Sequence, residues 1–322
     1  MFFKKKEGML FPYIKRKEQF FLMMVGLSGS GKTTLAQTIG KQYKAKVLSS
    51  DEYRKTLFGD PLYQGNNQLV FEKMHKDVIS LLKEGKSVIY DATNLTIKNR
   101  SEILRRVKRI KDVKIACYIK VNDINCCMSR NLQRSSPIPS EAIVHQMQRF
   151  QIPFKEEGFD KIFIEGFSAE SCKKNFTFWN DNRFMLIDLL KDHNQNSRYH
   201  KHSLLIHSML AYENLKGTPP ALRTAALFHD IGKLFTQSQH EDGNCSYLNH
   251  ENVGTYNLLQ NLEDLHLRTE QEVLDCLFYI NYHMMPFNLT HTKTKEKYQK
   301  IWGKEKFNNL WLLHEADKKA CE

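Results

Sequence analysis

The sequence predicts an α/β domain built on a parallel sheet with flanking helices, followed by an all-α domain. Three observations carry this. An apolar run of strand length, Phe20 to Val25, enters a glycine-rich turn and then a helix opened by Lys32-Thr33-Thr34-Leu35-Ala36. Strand-like and helical segments then alternate up to residue 165, as parallel sheets require. From Asp181 onward strand signals vanish, helical spacing dominates, and ten of the chain's thirteen histidines lie between 193 and 291.

Composition narrows the class. The chain has 322 residues, 41% hydrophobic and 26% charged, which suits buried cores rather than a disordered tail. A formal net charge of +12 favours a polyanionic partner, nucleic acid first. No apolar stretch reaches the roughly 18 residues of a membrane span, so no membrane partner is expected. No signal-type apolar core follows Lys4-Lys5-Lys6. Seven cysteines form no C-x-x-C pair and are odd in number, which indicates reduced thiols and a cytoplasmic compartment. Residues 1–17 form a basic arm, with six Lys or Arg and one Glu among Phe2, Phe3, Phe11 and Tyr13. Such an arm either guides a single strand or is a solvated terminus.

The first domain spans 18–165. Gly26-Leu27-Ser28-Gly29-Ser30-Gly31-Lys32-Thr33 reads G-x-x-x-x-G-K-T between strand and helix, the context a phosphate-binding P-loop requires. Gly26, Ser28, Gly29, Ser30, Gly31 and Thr34 belong to the cradle, Lys32 reaches the β- and γ-phosphates, and Thr33 places its hydroxyl on Mg²⁺. ATP and Mg²⁺ are the expected cofactors. A strand at 45–50 ends at Asp51, where ligands collect in an open parallel sheet. Asp51 is either the general base for an attacking hydroxyl or the cap of the next helix. Arg54, three residues on, shares its side and would hold an acceptor phosphate. The strand 87–90 leads to Asp91, a Mg²⁺-supporting carboxylate or an N-cap. Arg130 and Arg134 follow the strand 113–121, share one helix face, and suit a lid over the transferring phosphoryl group.

These segments, S-S-D-E-Y-R, V-I-Y-D-A-T-N-L, R-N-L-Q-R and P-I-P-S-E-A-I together with the P-loop, resemble the 5′-hydroxyl polynucleotide kinases of phage and bacterial RNA repair. The resemblance covers roughly 18–165. It implies Asp51 as general base, Arg54 on the phosphate of the acceptor strand, and Arg130 and Arg134 as lid residues.

Residues 166–180 read as a linker, and 181–322 form the second domain. A His-Asp pair on apolar helix, joined by ligands from neighbouring helices, suits Mn²⁺, Fe²⁺, Co²⁺, Ni²⁺ or Zn²⁺ better than Mg²⁺. Ala225-Ala226-Leu227-Phe228-His229-Asp230-Ile231-Gly232-Lys233 resembles the signature of HD-domain metal-dependent phosphohydrolases, with His-Glu-x-x-Gly, His-Met and Ala-Asp following in order. The resemblance implies His207, His229, Asp230 and Asp317 as metal ligands, with His250 and His283 completing a second site. His202 is the alternative to His207, and His200 is expected on substrate phosphate. Lys233 either neutralises a phosphate or sits near a helix end.

Together the halves resemble the bifunctional bacterial RNA end-healing enzymes, with the order of the two domains reversed. The expected function is ATP-dependent phosphorylation of 5′-OH ends plus hydrolysis of 2′,3′-cyclic phosphate or 3′-phosphate ends. The expected partners are RNA ends, tRNA among them, with DNA ends as an alternative and an RNA ligase downstream. Two other readings stand beside this one. One is a nucleoside or small-metabolite kinase fused to a nucleotidase. The other is an RNA-binding or nucleotide-sensing regulator without turnover.

Overall fold

A computed structural model describes residues 13, 18–167, 190–191, 193, 195 and 202–322. Of the basic arm only Tyr13 is among them. The predicted linker beyond 167 and His200 lie outside the described residues. Contacts divide the chain into two compact units. One is Met1–Lys120 with Asn125–Ser140 and Gly158–Phe163; the other is Val121–Ile124 with Glu141–Glu157 and Ile164–Glu322.

The first unit is built on a five-stranded sheet of order β2-β3-β1-β4-β5. The strands are β1 (Phe20–Val25), β2 (Lys46–Ser49), β3 (Val88–Asp91), β4 (Lys114–Ile119) and β5 (Lys161–Ile164). β1 pairs in parallel with β3 and β4, and β2 in parallel with β3. Every residue of β1 is buried. A central parallel strand is covered on both faces, so its sequence is apolar without alternation. Phe20, Leu22 and Met24 pack with Ala36 and Ile39 of α1 (Lys32–Tyr43) and with Ile89, Ala116 and Tyr118. The remaining helices up to residue 148 are α2 (Ser50–Phe58), α3 (Asn67–Lys83), α4 (Ile97–Val107), α5 (Ile124–Leu132) and α6 (Ser140–Gln148). Ser49 and Asp91 are register partners at the ends of adjacent parallel strands. Their successors therefore gather with the P-loop at one sheet edge, where open α/β sheets bind ligands.

Beside α6, which lies in it from Glu141 onward, the second unit contains the described helices α7 (Leu204–Asn214), α8 (Pro220–Phe228), α9 (Lys233–Thr236), α10 (His250–Leu258), α11 (Glu270–Tyr282), α12 (Met285–Asn288), α13 (Thr292–Trp302) and α14 (Lys304–Ala320). α11 opens on a capping box, with Thr269 and Glu272 satisfying each other's backbone N–H groups. Trp302 is fully buried among Phe278, Tyr282 and Phe307. Residues 141–157 make contacts inside this unit: Asn252 Nδ2 donates to Gln148 O at 2.8 Å, and Ile152 N donates to Asn281 Oδ1 at 2.7 Å. The expectation of an all-helical region needs one correction. Two short strands, β6 (Ser238–Gln239) and β7 (Cys245–Ser246), pair antiparallel around Asp242-Gly243. Gly243 has φ +81°, a left-handed turn conformation that glycine adopts without strain.

Candidate functional site

Two groups of polar side chains stand out, one in each unit. In the first unit, β1 delivers the chain into the P-loop. Gly29 and Gly31 have φ +79° and +91°, and Gly31 caps α1. A side chain at Gly29 would overlap the Cys127 carbonyl, so the loop lies directly on α5. Lys32 begins α1, is buried, and donates from Nζ to Leu27 O at 2.7 Å. Burial lowers its pKa against the opposing field of Asp91. Ser30 Oγ is buried with no hydrogen-bond partner among the described residues, as befits a cradle awaiting acceptor oxygens.

Thr33 Oγ1 donates to Asp91 Oδ2 at 2.7 Å, so the hydroxyl and carboxylate expected at Mg²⁺ are in contact. Burial pushes the Asp91 carboxyl above the usual carboxylate range, while Lys32 and hydrogen bonds from Thr33 and Ser49 pull it back. Asp51 lies in the first turn of α2 and is gripped from two sides. Arg54 Nη1 donates to its Oδ1 at 3.0 Å and Arg134 Nη2 to its Oδ2 at 3.1 Å. Arg54 is itself buried, and its Nη2 and Nε also donate to Asn67 Oδ1 at 3.0 and 3.3 Å. Its guanidinium is thus engaged with Asp51 and Asn67. Ser28, Gly29, Gly31, Lys32, Thr33, Thr34, Asp51, Asp91, Arg130 and Arg134 line one open cleft of about 240 Å³.

Sequence reasoning missed two supporting residues here. Asn67 anchors Arg54. Asn131, buried and lying between Arg130 and Arg134 in sequence, exchanges hydrogen bonds with the Ile138 backbone at 2.7 and 3.1 Å. That exchange ties Ile138 back to α5, and Arg134 N donates to Asn131 O at 3.1 Å. The asparagine was visible inside R-N-L-Q-R, but its partner was not.

In the second unit, four imidazoles and two carboxylates converge from five helices or their ends. His207 comes from α7, His229 and Asp230 from the end of α8, His250 from the start of α10, His283 from the end of α11, and Asp317 from the last turns of α14. His207 Nε2 is 3.0 Å from Asp317 Oδ1 and 3.3 Å from His229 Nε2. Asp230 is shared between two groups. Its Oδ2 stands 3.3 Å from His229 Nε2 and 3.5 Å from His207 Nε2; its Oδ1 stands 3.1 Å from His250 Nε2 and 3.6 Å from His283 Nε2. Lys233 Nζ donates to Asp230 Oδ2 at 2.6 Å and to Gln195 Oε1 at 2.8 Å. His202 is not among the converging donors; its carbonyl accepts from Gln195 at 3.3 Å.

The local fold explains why the nitrogens point inward. His229, His250 and His283 each lie 2.8 Å through Nδ1 from the carbonyl three residues earlier, Ala226, Tyr247 and Ile280. A carbonyl there fixes the proton on Nδ1 and leaves Nε2 as a lone pair. Lone pairs of His250 and His283 then face each other at 3.1 Å beside a buried carboxylate. So many converging donors suit a divalent cation, and the mixed nitrogen and oxygen set suits a first-row transition metal or Zn²⁺. Burial alone would lower the His229 pKa, yet Asp230 and Asp317 push it up to about 10, so a cation would take the place of a proton at its Nε2. Burial alone would raise the Asp230 carboxyl, yet His229 and Lys233 pull it well below its ordinary range. Gly232 and Gly254 make the approach possible. A side chain at Gly232 would overlap the His250 carbonyl and stand 2.7 Å from Gly254 N.

The comparisons with known proteins each cover less than half of the chain. The family model described as an AAA domain matches residues 21–153. The L-seryl-tRNA(Sec) kinase of Methanococcus maripaludis is 24% identical over 145 residues, 43% of this chain and 55% of that protein, so the match spans about half the relative's length. Among solved structures, the Pnkp1/Rnl/Hen1 RNA repair complex is 23% identical, covers 42% of this chain and 45% of that one, and has a TM-score of 0.38. A gluconokinase from Sinorhizobium meliloti is 15% identical, covers 47% and 83% respectively, and has a TM-score of 0.34. Over residues 21–153 the chain is thus similar to P-loop kinases, a likeness that implies ATP and Mg²⁺.

Proposed function

We propose that the chain is a bifunctional RNA end-repair enzyme: an ATP-dependent 5′-hydroxyl polynucleotide kinase joined to an HD-type metal-dependent phosphoesterase. The observation that carries this reading is the presence, in one strongly basic chain, of a P-loop cleft and a separate cluster of histidines and aspartates that could hold a metal. A relative named for a tRNA-borne acceptor supports a hydroxyl presented on RNA.

In the first site Lys32 and the P-loop amides hold the β- and γ-phosphates, and Arg130 meets charge developing on the transferring group. Asp51 accepts the proton of the 5′-hydroxyl as it attacks phosphorus. Arg134 and Arg54 aim that carboxylate; release of the Arg134 contact would open Asp51 to the acceptor. Thr33 and Asp91 would hold Mg²⁺, which when bound supplies charge neutralisation at the phosphates.

In the second site His207, His229, Asp230 and Asp317 would hold one metal ion, and His250 and His283 with the other oxygen of Asp230 a second. Such ions, when bound, supply a hydroxide near neutral pH and a Lewis acid for phosphorus chemistry. Around them Lys233 steadies Asp230, and the Ala226, Tyr247 and Ile280 carbonyls hold three imidazoles in one tautomer.

The test is a gel assay on an RNA with a 5′-OH and a 2′,3′-cyclic phosphate, with ATP, Mg²⁺ and a trace of Mn²⁺ or Ni²⁺. Wild type should phosphorylate the 5′ end and open or remove the cyclic phosphate. His229→Ala should do only the former and Lys32→Ala only the latter. Unchanged RNA ends alongside turnover of free nucleosides or nucleotides would replace this reading with a metabolic one.

A further inference from the structure

Asp317 and Cys321 stand four residues apart at the end of α14 and therefore share a helix face. That face meets His207, whose Nε2 is 3.0 Å from Asp317 Oδ1 and whose Nδ1 is 4.0 Å from Cys321 Sγ. One donor atom from each of His207, Asp317 and Cys321 lies within 4.8 Å of the other two. Bond lengths of about 2.1 Å to nitrogen and about 2.3 Å to sulfur put two ligands of one cation at most about 4.4 Å apart. The half-buried cysteine thus stands close to that range. His207 also differs from the other three imidazoles of the cluster. Its carbonyl contact, Ala320 O, is 3.4 Å away, where the others have one at 2.8 Å.

We propose that Cys321 is a ligand of the metal held by His207 and Asp317, so that this position offers nitrogen, oxygen and sulfur donors together. The inference rests on the reading of the cluster as a metal centre. As the sulfur–metal bond forms, the S–H bond breaks and the proton leaves to solvent. A thiolate favours Zn²⁺ and Co²⁺ over Mn²⁺ and Mg²⁺. The position formed by His250, His283 and Asp230 Oδ1 keeps only nitrogen and oxygen donors. The two positions therefore differ in the metal each prefers.

The experiment uses the full chain, stripped of metal and titrated with Co²⁺ while its absorption is recorded. Wild type should show ligand-field bands together with a near-ultraviolet thiolate-to-cobalt charge-transfer band, and Cys321→Ser should keep the first and lose the second. In chelator competition the variant should bind Co²⁺ and Zn²⁺ on the order of tenfold more weakly, and Mn²⁺ within about twofold of wild type. Alkylation of wild type, mapped at Cys321 by mass spectrometry, needs no variant: Co²⁺ should protect the thiol. Ligand-field bands with identical near-ultraviolet absorption in both proteins, or equal labelling with and without Co²⁺, would overturn the role of Cys321 and leave the metal centre standing. A wild type that takes up no Co²⁺ at all would overturn the metal-centre reading itself.

Discussion

Replacing Gly232 with alanine tests the geometry of the histidine cluster without touching any proposed ligand. The added methyl would overlap His250 O and stand 2.7 Å from Gly254 N. An unstrained contact between such atoms is about 3.5 Å, so relieving the second approach alone requires a shift of about 0.8 Å. Gly232 follows Asp230 by two residues, and His250 opens the helix being pushed. The shift therefore falls on the 3.1 Å separation of Asp230 Oδ1 and His250 Nε2. Metal sites tolerate only about 0.2 Å around ideal bond lengths. Overpacking of this kind costs about 1–3 kcal/mol, and metal affinity should fall by about 10–100-fold. All three tryptophans, Trp179, Trp302 and Trp311, lie in the second half of the chain, so tryptophan fluorescence in a urea titration reports on the helical unit. Chelator competition gives the metal affinity in the same samples. A Gly232→Ala protein with wild-type stability and wild-type metal affinity would refute the argument that this close approach sets the cluster.

The other predictions concern the first unit. Arg54→Lys removes a buried fork that spans Asp51 and Asn67, and a lysine cannot make three such contacts. It should cost about 1.5–3 kcal/mol in stability and slow phosphoryl transfer while leaving hydrolysis intact; denaturation curves paired with the end-labelling assay check both, and unaltered stability would count against the fork. His75 is buried, lies 3.0 Å from Tyr90 Oη, and has its pKa lowered by burial despite the nearby Glu102. A histidine held below its unfolded pKa contributes in full above about pH 6.5 and loses that contribution as the pH falls, by at most about 1.4 kcal/mol per pH unit. Amide exchange of β1 should therefore quicken from pH 7 to pH 5 after correction for intrinsic rates, and His75→Gln should flatten that dependence; an equally steep profile in the variant would assign it elsewhere.

Much of the fold was legible because its signals are local. β1 is apolar throughout, and the turn after it needs glycine at two left-handed positions. The expected segments 45–50 and 113–121 contain strands β2 and β4, and 87–90 covers all of β3 but its last residue, Asp91. The hairpin of β6 and β7 escaped because strands of two residues carry no alternation to read. The partners of 141–157 escaped because Asn281 and Asn252, which hold that segment, are about a hundred residues or more away in sequence.

The same division runs through the sites. By itself the sequence determined the chemistry available: a phosphate cradle with Lys32 and Thr33, carboxylates at strand ends, paired arginines, and a series of histidines around His229-Asp230. These are contiguous or periodic patterns, and backbone geometry translates them directly into faces and turns. Only the tertiary structure decided how the groups are shared. It turned Arg54 inward to Asn67 and Asp51, set Arg134 on the same carboxylate, and divided the oxygens of Asp230 between two pairs of histidines. It also brought Cys321 to His207 across more than a hundred residues. Such partnerships depend on how separate helices and strands pack, and no spacing within a single element records that.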